Sequence, residues 1–347
     1  MQNDMAAPSG LESHDNRILQ LWAIHFIYLL FQANKHFMKL TSHRLLLISA
    51  TALFFSYQSN SQQTLAEQLG YAPDAKLLIV HADDIGLARS VNEASAEAFA
   101  SGGITSGSIM VPCPWFVDFA EYYRQHPDLD MGIHITLTSE WDFYKFGGIL
   151  PSTEIPSLLD EHGYFYPTTQ AVGLHADPVE AEKEMRAQID KAIAYGIKPT
   201  HLDTHMGSVL AKPELIEIYM RLSKEYDIPV FAPRMMLMGM PEVVRETVKK
   251  DYVLVDKIFM LNVDGPEVSW EDEYGKMIEQ MGPGLNVMIV HLAYDNAEMQ
   301  AVAVNHPAFG AAWREKDLNY VQSQIFHDLL KEKELQLVTW KEIGALK

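Results

Sequence analysis

His81, Ala82, Asp83 and Asp84 stand where the apolar run Leu77-Leu78-Ile79-Val80 ends and a turn at Gly86 begins. Two adjacent carboxylates at the end of a buried strand are costly, because an unpaired charge leaves water only at a large free-energy penalty. Such a pair usually meets a cation or takes part in proton transfer. Two further strand-like segments supply imidazoles, Gly132-Ile133-His134 and His201-Leu202-Asp203-Thr204-His205. Together these residue types describe a one-metal hydrolase centre.

Strand alternation orders the candidates. His201, Asp203 and His205 share one strand face, as do His134, Thr136 and Thr138. His205 lies nearest the carboxyl end of its strand and is the expected ligand, while His201 and Asp203 sit deeper and suit orientation of the ligands. A buried, hydrogen-bonded polar ladder is the simpler alternative for these three. Of the two carboxylates, Asp84 is assigned to the metal and Asp83 to proton abstraction, with the reverse assignment as the alternative. One Asp and two His leave coordination positions open, as a catalytic site requires. A water bound there loses its proton more readily, and a carbonyl oxygen is polarised. His291, which ends the apolar run Val287–Val290, is the candidate acid for the leaving amine.

These residues need a scaffold that gathers strand ends. From Lys76 onward, strand candidates fall at Lys76–His81, Gly107–Pro112, Asp130–Leu137, Pro199–His205, Pro229–Pro233, Val253–Val263, Leu285–His291 and Leu335–Thr339. Helical patterns separate them at Val91–Ser101, Trp115–His126, Pro178–Tyr195, Lys212–Tyr226, Trp270–Met281 and Asp317–Glu334. This alternation predicts an α/β fold of mainly parallel strands with outer helices. Eight candidates suit a (β/α) barrel with its site at the strands' carboxyl ends, a doubly wound open sheet being the alternative. The stretch Glu140–Gln170 is too long for a typical loop and is expected to pass over the site.

The chain divides into a leader, 1–75, and a single domain, 76–347. Lys39, His43 and Arg44, the apolar stretch Leu45–Phe55 and Ser59-Asn60-Ser61 make a signal-peptide pattern over 38–61, with translation expected from Met38. The expected location is therefore periplasmic or secreted, or cytoplasmic if the pattern is not a signal. A membrane anchor is the alternative for this segment, although the earlier apolar run Ile18–Phe31 is short for a spanning helix. No stable membrane insertion of the mature domain is expected. A formal net charge of -19 argues against a nucleic-acid partner. Cys113 is the single cysteine, so any metal rests on nitrogen and oxygen ligands. Such ligands admit magnesium or zinc, and also manganese, cobalt or nickel. A homo-oligomer is compatible with this composition.

The stretches HADDIGLARSVN (81–92), GIHITLT (132–138), KPTHLDTHMG (198–207) and, more weakly, VMIVHLAYD (287–295) resemble the YdjC/ChbG-type (ChbG/HpnK) carbohydrate deacetylases. The resemblance covers the chain from about Lys76 to its end. It implies a (β/α)-barrel-like fold and metal-dependent removal of acetyl groups from N-acetylated sugars such as chitooligosaccharides. It also implies Asp84, His134 and His205 as ligands of one divalent ion and Asp83 as the base, in agreement with the strand argument. The chain departs from the family at Met206-Gly207-Ser208, where further histidines are usual, and at His291-Leu292-Ala293, where His-Pro-Gly is usual. Substrate contacts must therefore be its own. Trp141, with Tyr144 and Phe146, is a candidate to stack on a sugar ring, packing of the loop being the alternative, and Arg234 is a candidate for a carboxylate or substrate oxygen, with a structural role as its alternative. A hydrolase of another amide or a phosphoester is the alternative activity, and a non-catalytic carbohydrate-binding barrel the alternative class.

Overall fold

The computed structural model describes residues 63–238, 242–261 and 269–346. The signal-peptide pattern at 38–61, and the last two residues of the strand expected over Val253–Val263, lie outside the described residues. The described residues within 63–236 and 249–347 form one compact unit. Residues 237–248 group separately, and of these 237–238 and the start of the helix Glu242–Asp251 are described. No helix among the described residues is long and apolar enough to cross a membrane.

Nine strands are present among the described residues: β1 (Lys76–Ile85), β2 (Ser106–Ile109), β3 (Met131–Ile135), β4 (Leu202–Thr204), β5 (Ala232–Pro233), β6 (Leu254–Val255), β7 (Lys257–Met260), β8 (Gly284–His291) and β9 (Leu335–Leu337). Every pairing between them is parallel. The order runs β4-β3-β2-β1-β8-β7, with β9 joining the first three residues of β1. The remaining links complete a ring. Leu202 of β4 bridges Val230, β5 pairs with β6, and β6 passes through Asp256 into β7, which pairs with β8. The result is the expected parallel barrel, thin on the side where β4, β5 and β6 are two or three residues long.

Helices lie between the strands, with ends the local sequence explains. Pro178–Ala194 begins at Asp177, whose carboxylate accepts the backbone N–H groups of Val179 and Glu180 at 2.9 and 3.2 Å. An Asp cap followed by Pro in the first turn satisfies otherwise orphaned donors. The single helix expected over Asp317–Glu334 is two, Ala311–Val321 and Gln324–Glu332. Ser323 makes the break, since its hydroxyl accepts the Phe326 N–H at 3.1 Å and starts a new helix there. Asp256 interrupts the strand expected from Val253 by turning its carboxylate onto the Leu285 N–H, 2.9 Å away.

Inward positions along β1 change character from one end to the other. Leu77 and Ile79 join Leu285, Val287, Phe231, Val255, Val338 and Trp340 in a buried apolar floor, which Ala66 of the helix Leu65–Gln68 also enters. Residues 64–75, placed with the leader on sequence grounds, thus contribute to the barrel core. The next two inward residues are His81 and Asp83. Burying each large floor side chain is worth about 1.5–3 kcal/mol. That apolar floor offsets the cost of the charged layer above it.

Candidate metal and catalytic site

The layer above the floor begins with a backbone irregularity. The pairing of β1 with β2 slips between Ala82 and Ile85, and Asp84 adopts φ 66°. A left-handed conformation is unfavourable for most L-residues, with Asp and Asn among those that tolerate it. Simple alternation would send Asp83 and Asp84 to opposite faces. With Asp84 left-handed, both carboxylates reach the same cluster at the strand's end.

Asp84 meets His134 and His205 there. Its Oδ1 lies 3.4 Å from His134 Nε2 and 3.1 Å from His205 Nδ1. All three residues are buried, and their donor atoms lie within 4.8 Å of one another. Although Asp84 Oδ1 faces two ring nitrogens, it makes no hydrogen bond. Its Oδ2 accepts from Arg314 Nη2 at 2.6 Å. Burial raises the Asp84 carboxyl, but Arg314 and the two histidines outweigh it and hold the group well below the usual range.

Each of the two histidines is held at its other nitrogen by a second carboxylate. Asp203, the register partner of His134, takes His134 Nδ1 at 2.9 Å through Oδ1. Its Oδ2 accepts from Ser108 Oγ at 2.7 Å and faces His81 Nε2 at 2.8 Å. Burial raises Asp203, yet His134 and His81 hold it well below the ordinary carboxylate range. His205 opens the turn His205–Ala211, and its Nε2 lies 2.9 Å from Glu140 Oε2. Burial would lower His205, but Glu140 and Asp84 push it up to about 9.

This arrangement fits a divalent cation. Separations of 3.1 and 3.4 Å are those expected between ligand atoms each about 2.0–2.2 Å from a shared ion. Asp83, Asp84, Glu140 and Asp203 gather four carboxylates, and among the described residues Arg314 is the only Lys or Arg ion-paired with any of them. Carboxylates that fix the far nitrogens of histidines are the usual support of histidine metal ligands. Two imidazoles and a carboxylate suit zinc, and also magnesium, manganese, cobalt or nickel.

Asp83 stands beside this triad. Its Oδ2 is 3.9 Å from both His134 Nε2 and His291 Nε2, and its Oδ1 is 3.0 Å from His81 Nε2. Its side chain is 13 % exposed against 2 % for Asp84, so Asp83 is the carboxylate a water can approach. His291, at the end of β8, has its backbone N–H on Asp317 Oδ2 at 3.0 Å. Burial pushes its ring down to about 4, so the imidazole is neutral near pH 7 and must take up a proton before giving one.

The other expected residues stand elsewhere. His201 stacks on Trp340 with centroids 5.3 Å apart and touches neither His134 nor His205 through a hydrogen bond. Two residues earlier on a strand means about 6–7 Å deeper, too far to orient the ligands. His81, which had no assigned part, takes the place beside Asp203. Trp141 is 2 % exposed, its ring covered by the Arg314 guanidinium at 5.6 Å, so it packs the loop and offers no face to a sugar. Phe146 is likewise buried, and the Tyr144 hydroxyl donates to Leu87 O at 2.7 Å. Arg234 is half exposed and ion-paired with Asp256 at 2.6 Å, its described polar partner.

Besides His81, two site residues were missed. Glu140 keeps the parity of His134, Thr136 and Thr138, but it lies beyond the end of β3, where alternation stops being a guide. Arg314 occupies the buried face formed by Ala311, Arg314, Leu318 and Val321 of its helix. A charged residue at an apolar helical position was the available signal.

The stretch after β3 is fastened down by the helix Pro178–Ala194. Gln188 exchanges two hydrogen bonds with the Thr136 backbone, at 2.9 and 2.8 Å. Buried Glu184 accepts the N–H groups of Ile149 and Leu150 at 2.8 and 3.1 Å. Burial raises the Glu184 carboxyl.

A parallel barrel with an Asp-His-His cluster and a second aspartate at its carboxyl-end mouth has the layout of a (β/α)-barrel hydrolase. The model of the YdjC-like protein family matches residues 77–332, and the chain belongs to that family. It is 33% identical over 249 residues to a carbohydrate deacetylase of Thermus thermophilus, covering 69% of this chain and 85% of that one. To a carbohydrate deacetylase of Brevibacillus brevis it is 31% identical over 272 residues, covering 77% and 99%. In fold it is similar to a solved structure from Enterococcus faecalis named as a proposed cellobiose-phosphate cleavage protein. The TM-score is 0.65 at 22% identity, with coverage of 78% of this chain and 99% of that one.

Proposed function

We propose that the protein is a divalent-metal-dependent hydrolase that removes the acetyl group from N-acetylated sugars. The convergence of Asp84 Oδ1, His134 Nε2 and His205 Nδ1 on one point, with Asp83 alongside, carries this reading. Its family membership and the carbohydrate deacetylases among its relatives support the substrate class.

Asp84, His134 and His205 would hold the ion, which when bound supplies Lewis acidity toward water and the acetyl carbonyl. Asp83 takes the proton as water oxygen adds to the carbonyl carbon. The carbon–nitrogen bond then breaks, and His291, 3.9 Å from Asp83 on the same mouth, is placed to pass a proton to the departing amine. Arg314 keeps Asp84 ionised and fixed through Oδ2, leaving Oδ1 for the ion.

Acetate release from N-acetylated oligosaccharides, measured with chelator and after adding back single divalent metals, tests the proposal. Release should vanish with chelator and return with metal; release indifferent to chelator would overturn the metal-dependent reading. Asp83→Asn should lower kcat about 10²–10⁴-fold with metal content unchanged. The signal-peptide pattern at 38–61 supports export of the domain, and N-terminal sequencing of the mature protein tests that separately.

A further inference from the structure

Three of the site's four carboxylates, Asp83, Asp84 and Asp203, lie on barrel strands, whereas Glu140 lies in irregular chain after β3. His205 is similarly placed outside a strand, on a turn whose next residues, Met206 and Gly207, have φ values of 52° and 67°. A ligand on such a turn lacks the flanking strand that fixes a ring such as that of His134. Something else must set its orientation.

We infer that Glu140 is the positioning residue for His205, a role that rests on the metal-centre reading above. Glu140 Oε2 lies 2.9 Å from His205 Nε2, while His205 Nδ1, on the opposite edge of the ring, faces Asp84 Oδ1 at 3.1 Å. A carboxylate at Nε2 keeps the proton on that nitrogen and leaves the Nδ1 lone pair for the ion. The same geometry rules out Glu140 as a further ligand, because it meets the nitrogen turned away from the shared point.

Glu140 is itself placed from both sides. The preceding residue, Ser139, donates its N–H to Tyr166 O at 3.0 Å and accepts the Phe146 N–H on Oγ at 3.2 Å. Lys145 Nζ donates to Ser139 O at 2.8 Å. The following residue, Trp141, is buried beneath Arg314. These contacts span 139–166, so the excursion that sequence reasoning placed over the site delivers Glu140 to the metal ligand. Glu184 and Gln188 on the outer helix in turn hold Ile149, Leu150 and Thr136. Metal affinity thereby depends on a segment that contributes no ligand.

The test is a zinc and manganese titration, by calorimetry or chelator competition, on the full domain and on Glu140→Ala, Glu140→Gln and His205→Ala. Glu140→Ala should bind either metal about 10–100-fold more weakly, the range for loss of a ligand's supporting carboxylate. Glu140→Gln should lose less, because its amide oxygen still accepts from Nε2–H. The melting temperature of the metal-free Gln variant should match wild type, which separates positioning from a general structural role. Unchanged metal affinity in a folded Glu140→Ala would overturn the inference while leaving the metal centre standing. Should the alanine variant fail to fold, affinity in Glu140→Gln equal to wild type would overturn it equally. Wild-type protein that binds neither metal would instead sink the metal-centre reading itself.

Discussion

The two histidine–carboxylate pairs flanking Asp84 are built from different material. His134 and Asp203 face each other across adjacent strands, and Asp203 also engages His81 and Ser108 in the barrel interior. His205 and Glu140 meet across a turn and a long irregular segment. One pair is part of the fold's frame, and the other is attached to it. The difference separates the part of the site that the barrel's own strands build from the part that a loop and a turn add to it.

The comparison can be broken most sharply at Asp203. Asp203→Asn removes a buried carboxylate from three partners and should destabilise the domain by about 3–5 kcal/mol in denaturant unfolding. Stability equal to wild type would show that the barrel-held pair is no more structural than the loop-held one. A somewhat smaller effect is expected at Asp317, which ties the frame to a helix through the His291 N–H. Burial raises its pKa from 3.8 to about 6, against three hydrogen bonds that lower it. The native state then binds this proton more readily than the unfolded chain. Its contribution is full below pH 3.8 and lost as pH rises through about 6. The loss amounts to roughly 3 kcal/mol. Asp317→Asn should flatten the pH dependence of stability in that window; an unaltered profile would remove Asp317 as its source. The smallest expected effect is at Gly132, where a Cβ would lie 2.3 Å from His201 Nε2. Gly132→Ala should cost about 1–3 kcal/mol by overpacking beneath His134. Glu140 should keep its contact in that variant, so metal affinity should fall less than stability. The reverse ordering would mean that the inner layer, too, acts chiefly on the metal.

The site layer was legible because polar residues break into apolar runs near the strands' carboxyl ends: His81 after Val80, His134 between Ile133 and Ile135, His291 after Val290. Parallel pairing then brings those ends together, which is why Asp84, His134 and His205 converge as expected. Depth along a strand was harder to judge. His201 shares a face with Asp203 but sits a layer lower against Trp340, and the periodicity of a strand reports the face without the height. Trp141 was misjudged because a loop aromatic reads the same whether it faces solvent or covers an arginine. Arg314 was invisible to strand reasoning, since it reaches the site from a helix more than 200 residues after Asp84 in the chain. Glu140 fell between the two methods, beyond the strand that carries its parity and before any helix.

The left-handed backbone at Asp84 makes ligand deletion there unlike deletion at His134 or His205. Alanine at position 84 would discard a donor atom and also lose the short polar side chain that lets Asp or Asn adopt a left-handed region costing most L-residues about 1–2 kcal/mol. Asparagine or glycine tolerates that torsion, so either dissects chemistry from conformation where alanine confounds them. An alanine scan across this mouth would therefore exaggerate the apparent importance of one vertex of the triad.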